Sequence, residues 1–295
     1  MTSTAQSPSG AARANRAAPL IDRWGLLVLP LFAFLLIGFL APIVVMLSRG
    51  LTDPEFGLQN FQTMFEGALY VKVLRNTFVT ATLVTLITLC LAFPYAYLMT
   101  IASPFWRGTL LVAVLIPFWT GMLVRTFALM LLLRDSGPFN KALESSGLID
   151  APLPMIRNEF GVLFGMVQVA LPFAVLPIYA TMRTIDRRLV MAAQGLGARP
   201  SGAFWRVFAP LTIPGVAAAM LLVFIQALGY YITPAMLGGQ QNTMIGELIV
   251  QQISEVLNFG LAAALATLLL AVTLLLLAVG ARFLDLQKFM TGGDR

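Results

Sequence analysis

Long uninterrupted apolar runs are the feature that most constrains this chain. Residues 26–48 form the first, and comparable runs recur at about 71–101, 108–133, 160–182, 209–231 and 257–284. A hydrocarbon core about 30 Å thick needs roughly 20 apolar helical residues to cross it. Every backbone N–H and C=O in that layer must find a partner within the protein, which leaves helices as the natural solution. The chain is 59% hydrophobic and 11% charged, with mean hydropathy +0.86, against roughly 25% charged residues in a soluble domain. The expected fold is therefore an all-α membrane protein with six transmembrane helices.

Loop charges orient those helices. With the N-terminus on the cytoplasmic side, that side carries 12 basic residues and 4 acids; the outer side carries 6 basic residues and 9 acids. This satisfies the positive-inside rule and places both termini in the cytoplasm. It also accounts for a pI near 9.9 without a nucleic-acid partner. Residues 1–25, rich in Ala, Ser and Arg, read as a disordered cytoplasmic tail rather than a secretory signal, and 285–295 as a second tail.

The missing residue types exclude several chemistries. There is no His, so neither an H-E-x-x-H zinc site nor a Ser-His-Asp triad is available. The one cysteine, Cys90, lies in an apolar run and reads as a small buried residue. Lys72, Lys141 and Lys288 are the only lysines and none follows a Gly, so the chain has no phosphate loop. No catalytic residue, metal site or cofactor of its own is expected. Prolines 94, 117, 172, 177 and 214 fall inside apolar runs. There they kink helices that either line a path or simply pack.

One segment does not fit the membrane. Between the fourth and fifth runs lies "RTIDRRLVMAAQGLGARPSGAFWRVF", residues 183–208, the longest and most basic cytoplasmic loop. Ile185, Leu189 and Ala192 or Ala193 share helical spacing, Gly195 and Gly197 end that helix, and Pro200 stops it. Ser201 is the candidate N-cap of a second helix carrying Phe204, Trp205 and Phe208 toward the bilayer. Composition alone leaves two readings: a docking helix whose Ala and Gly admit another backbone, or an amphipathic helix lying on the membrane.

The run Met191-Ala192-Ala193, three residues, Gly197-Ala198, and after a further eight residues Val207-Phe208-Ala209-Pro210 resembles the EAA loop of ABC-importer permease subunits. That pattern reads E-A-A, three residues, G, nine residues, I-x-L-P; here Met191 stands for its Glu, Val207 for its Ile and Ala209 for its Leu. "IPFWTGMLVRTFALMLLL", "GMVQVALPFAVLPIYATM" and "LVFIQALGYYITPAMLGG" are similar to the first permease subunit of spermidine/putrescine-type importers. The resemblance covers about residues 70–284. It implies a type I importer fold, a heterodimer with a second homologous permease, two ATPase subunits that bind ATP and Mg, and a periplasmic substrate-binding protein. It makes the 185–200 helix the coupling element, with Arg187, Arg188, Met191, Ala192, Ala193, Gly197 and Ala198 as its contacts. The implied cargo is a polyamine or, with the same machinery, an opine or other amino-acid derivative. A secondary transporter or channel would need ionisable groups in the spans, and only Arg125 is there.

Candidate pathway residues are Trp119, Arg125, Gln168, Gln226, Tyr230 and Tyr231. Tyr95, Tyr97 and Phe118 are further aromatics. Two readings stand for Arg125: bonds to carbonyls or an ion pair near the outer mouth, or an outer gate that meets an anionic group of a zwitterion. Gln168 and Gln226 suit either interhelical hydrogen bonds or a solute amine. The segment 233–252 ahead of Glu255 reads as an outer helical hairpin or re-entrant scaffold that meets the binding protein.

Overall fold

A computed structural model describes residues 30–283; the 1–25 and 285–295 tails lie outside the described residues. All regular structure among the described residues is helical. Contacts divide the chain into residues 1–46 and 47–295. In the first unit, residues 30–46 are helical and belong to α1 (Pro30–Thr52), whose ladder widens into a π-turn at Leu36–Leu40.

The second unit is built around three long helices, α3 (Ala68–Ile101), α7 (Glu159–Thr184) and α9 (Pro200–Leu228), each long and apolar enough to span. Their contact faces are small: Thr77, Ala81, Thr88, Ala92 and Ala96 on α3, Gly165, Ala170 and Ala174 on α7, Gly215, Ala219 and Ala227 on α9 are all buried. Small residues allow backbones to approach where lipid supplies no hydrophobic drive for helix association. At Gly215 a Cβ would lie 2.4 Å from Thr181 Oγ1 and 3.0 Å from the Pro177 carbonyl, so only hydrogen fits. On α3 the Thr77 hydroxyl donates back along the ladder to Val73 O at 2.8 Å and that of Thr85 to Ala81 O at 2.7 Å, whereas Thr88 Oγ1 is buried with no partner among the described residues. Cys90, expected to be buried, lies instead on the exposed side of α3, because only one stripe of that helix faces the bundle.

The run at 108–133, read from sequence as one helix, is broken. α4 (Pro104–Trp119) and α5 (Met122–Leu133) meet at Thr120–Gly121, where the axis of the paired segments turns by 101°. Both junction residues have extended backbone, ψ 135° and 141°. At 16 residues α4 reaches about 24 Å, short of a full crossing. The freed carbonyls are taken up locally: the Thr120 hydroxyl donates to Pro117 O at 2.9 Å and Arg125 Nη2 to Thr120 O at 3.0 Å. Five helices are therefore span-length, and the bent pair supplies a sixth.

The outer ends are tied together by short helices. α2 (Gln59–Glu66), α6 (Pro138–Ser145), α10 (Ile232–Leu237) and α11 (Ile245–Ser254) lie outside the span-length helices, and α12 (Phe259–Phe283) packs on α2 and α11. Met64, Val73, Ile245, Leu248, Leu261 and Leu265 form a second apolar cluster there. The Ile245 N–H donates to Thr77 Oγ1 at 2.8 Å and Asn76 Nδ2 to Gln241 O at 2.6 Å, pinning the α10–α11 hairpin to α3.

Candidate functional site

The basic loop folds as an elbow. α8 (Arg187–Gly195) starts at Asp186, whose carboxylate accepts the Arg188 N–H at 2.9 Å and caps the helix. It ends at Gly197, whose φ of +94° lies in the left-handed region. There the Gly197 N–H bonds Gln194 O at 2.9 Å and the Ala198 N–H bonds Ala193 O at 3.0 Å, the paired closure of a Schellman turn. A Cβ at Gly197 would meet nothing within 4 Å among the described residues, so glycine is required there by backbone conformation rather than by space.

α9 then begins with Arg199 as N-cap and Pro200 as its first residue. This corrects the expectation of a stop at Pro200 and a cap at Ser201: proline's fixed φ and missing N–H suit a first helical position, where that N–H has no acceptor anyway. The first turns of α9 include a π-turn at Phe204–Phe208.

Two faces of α8 differ. Val190 packs against the bundle core, as does Ile185 just before the helix. Leu189, Ala192 and Leu196 are exposed, with Leu196 at 91%, and Met191 is 59% exposed. Ala193 and Ala198 are half-buried. Ile185 and Leu189, placed together by sequence spacing, therefore divide between the two sides, since Ile185 precedes the capped start of the helix. The seven residues named for this loop are all on the elbow; Arg187 turns back to the bundle and its guanidinium donates to the Thr100 carbonyl at the end of α3.

An aromatic joint lies beneath the elbow. Phe204 stands edge-on to Tyr97 with ring centroids 5.2 Å apart and to Phe93 at 6.4 Å, and stacks on Phe208 at 5.5 Å; Tyr97 also meets Phe208 at 5.4 Å. Tyr97 thus belongs to this joint, and the Tyr95 hydroxyl donates to Leu110 O at 2.6 Å between α3 and α4. Sequence reasoning did not find the joint; the signal was the pairing of "FPYAY" with "FWRVF", two aromatic runs in different spans.

The polar residues named for a pathway fall toward the other end. Arg125 Nε, Gln168 Oε1, Gln226 Oε1 and Thr233 Oγ1 are buried with no hydrogen-bond partner among the described residues. A Cβ at Gly165 would lie 2.6 Å from the Thr233 methyl and 3.9 Å from a Leu129 methyl. Gln168 sits one turn from Gly165 on α7, and Arg125 one turn from Leu129 on α5. Burial raises the Tyr230 hydroxyl above its ordinary value, and the nearby Arg125 charge opposes this. These groups gather where α5, α7 and the α9–α10 junction meet. Trp119, 89% exposed at the end of α4, and the exposed Tyr231 lie on open surface. Polar groups left bare in an apolar bundle are costly unless something visits them.

On the outermost surface, a cavity of about 460 Å³ lies between α10 and α11, walled by Tyr231, Gln240, Glu247, Gln251 and Glu255. Burial raises the Glu247 carboxyl above its ordinary value, and the Met244 backbone N–H opposes this.

Residues 154–285 match the family model of the binding-protein-dependent transport system inner membrane component. The chain is 33% identical over 217 residues to the spermidine/putrescine transport system permease protein PotB of Haemophilus influenzae, covering 72% of this chain and 76% of that one. It is 34% identical over 224 residues to PotB of Escherichia coli K12, covering 76% and 81%. Among solved structures, a chain of a bacterial alginate ABC transporter in complex with an alginate pentasaccharide-bound periplasmic protein superposes with TM-score 0.73 at 17% identity, over 88% of this chain and 93% of that one; at this identity the likeness is one of fold, the type I importer transmembrane domain. The chain belongs to the binding-protein-dependent transport system inner membrane components, a multi-pass permease family of the bacterial inner membrane that includes PotB.

Proposed function

We propose that this permease forms half of the translocation pathway of an ATP-driven importer for a polyamine of the spermidine/putrescine class, and receives its mechanical input at α8. The observation that carries the coupling reading is the two-sided elbow. Leu189, Ala192 and Leu196 present a stripe to a partner. Val190 and the Arg187–Thr100 bond hold the opposite side to the bundle. The polyamine reading rests on the relatives, whose names specify spermidine and putrescine.

The remaining parts follow from that role. Two cytoplasmic ATPase subunits bind ATP and Mg, a second homologous permease completes the path, and a periplasmic protein delivers solute; a periplasmic protein is bound in the alginate transporter complex. Closure of the ATPases carries α8 with it. Its motion enters α3 through Thr100 and Tyr97, and enters α9 through the Phe204–Phe208 turn, so the bundle tilts and opens outward. This chain carries no catalytic residue; it transmits and gates. The unpartnered groups near Arg125 face the solute as it passes.

A second reading has an observation of its own. Arg125 repels a polyamine but pairs with a carboxylate, which favours an opine or other amino-acid derivative. Reconstitute the four-part complex in liposomes and measure ATP hydrolysis stimulated by the binding protein loaded with spermidine or with an opine. Stimulation by spermidine alone supports the first reading; stimulation by the opine alone overturns it in favour of the second.

A further inference from the structure

A second set of residues gathers at the inner ends of the helices. Arg107 of α4, Arg183 of α7 and Arg187 of α8 wall one cavity of about 160 Å³, together with Thr100, Tyr179 and Ile185. No carboxylate lines it among the described residues. Asp186, the acid beside it in sequence, is engaged at the α8 N-terminus with the Arg188 N–H.

Carbonyls at the end of α3 neutralise part of this charge. Arg107 Nε donates to Met99 O at 3.2 Å and its Nη2 to Ala102 O at 3.3 Å, while Arg187 Nη2 reaches Thr100 O. Each guanidinium has five N–H donors, so most remain available. Arg183 has no hydrogen-bond or ion-pair partner among the described residues. Helix-end carbonyls carry only about half a charge in sum, against three full positive charges around one small space. Like charges a few ångströms apart repel by about 1 kcal/mol in water and about 4 kcal/mol near a protein surface. Such a cluster calls for an anion.

We propose that this cavity binds a phosphate group. The guanidinium fork matches phosphate oxygens two at a time, and three forks from three helices surround a tetrahedral anion better than a planar one. By the positive-inside assignment the cavity lies at the cytoplasmic headgroup level, where basic pockets between spanning helices hold anionic lipid headgroups. The phosphate is either that of an anionic lipid, whose net charge zwitterionic phosphatidylcholine lacks, or free phosphate from the cytoplasm. Bound there, it bridges α4, α7 and the first residue of α8, and stiffens the attachment of the elbow to the bundle.

The test uses the assembled transporter in nanodiscs of phosphatidylcholine with or without phosphatidylglycerol. Native mass spectrometry reads retained phosphatidylglycerol; in the phosphatidylcholine discs, thermal melting reads the response to inorganic phosphate. Arg183→Gln removes a side chain with no partner among the described residues, and Arg199→Gln removes an exposed arginine outside the cavity. Arg183→Lys keeps the charge without the fork, so its result falls between wild type and Arg183→Gln and reads the site should the Gln variant not assemble.

For a lipid phosphate, retention falls roughly tenfold in Arg183→Gln and stays at wild-type level in Arg199→Gln, the size of one lost charge-assisted contact. For free phosphate, the melting response is present in wild type and Arg199→Gln and is lost in Arg183→Gln. Equal lipid retention and equal phosphate response in wild type and Arg183→Gln overturn the proposal. Neither readout requires transport, so the result is independent of the cargo.

Discussion

Arg187 and Thr100 lie 87 residues apart, yet the guanidinium that opens α8 donates to the carbonyl near the end of α3. A cation at a helix C-terminus meets both an unpaired carbonyl and the negative end of the helix dipole. This bond is a polar tie between the elbow and the first long helix of the bundle.

Arg187→Gln weakens that tie while leaving both helices intact. A charge-assisted bond of this kind is worth about 1.5–3 kcal/mol when formed. The expected outcome is normal membrane insertion with solute uptake reduced about tenfold per ATP hydrolysed. Coupled uptake and hydrolysis in proteoliposomes measure it.

Gly197→Val forces a branched side chain into φ +94°, at a strain of about 1–2 kcal/mol, with no clash to relieve. The Schellman closure then opens and the stripe from Leu189 to Leu196 loses its fixed direction. Transport should be abolished with the protein still inserted and at wild-type abundance, as read by uptake and immunoblotting of membranes.

Gly215 and Gly195 make a matched pair. Alanine at 215 drives a methyl to within 2.4 Å of Thr181 Oγ1, whereas alanine at 195 meets nothing within 4 Å. Gly215→Ala is expected to destabilise the bundle by about 1–3 kcal/mol through overpacking. Gly195→Ala should be neutral or stabilise α8 by up to about 1 kcal/mol. Melting of the purified permease complex in detergent separates the two.

Glu247 gives a pH signature. Burial favours its protonated form, so its folded pKa lies above the unfolded value. The associated stability is present below the ordinary carboxylate pKa and is lost as pH rises through the elevated one. Glu247→Gln, which cannot ionise, should therefore melt higher than wild type at neutral pH, with the difference closing toward acid pH. A pH series of melting curves measures it.

Much of the architecture is legible in one dimension, and particular residues mark where it is not. The basic 183–208 loop announces its side through its arginines, and Gly197 announces the end of α8, because charge and glycine act locally. The break at Thr120–Gly121 is hidden, since hydropathy counts apolar residues and does not register a turn of 101° whose carbonyls are satisfied by Thr120 and Arg125. Pro200 reads as a stop until its neighbour Arg199 is seen to adopt a cap conformation. Cys90 looks buried because lipid-facing and core-facing residues are equally apolar in a spanning helix. The gathering of Arg125, Gln168 and Thr233 depends on a crossing at Gly165 that no local pattern encodes.

The central claim is that α8 delivers force from a cytoplasmic ATPase. Its most direct test is cross-linking in membranes holding the assembled complex, in a chain with Cys90→Ser and a single new cysteine. Leu196→Cys labelled with a maleimide–benzophenone should form a permease–ATPase adduct on irradiation, and Leu148→Cys, also exposed but at the far end of the bundle, should not. Absence of an ATPase adduct from position 196, or equal yields from both positions, would contradict the account.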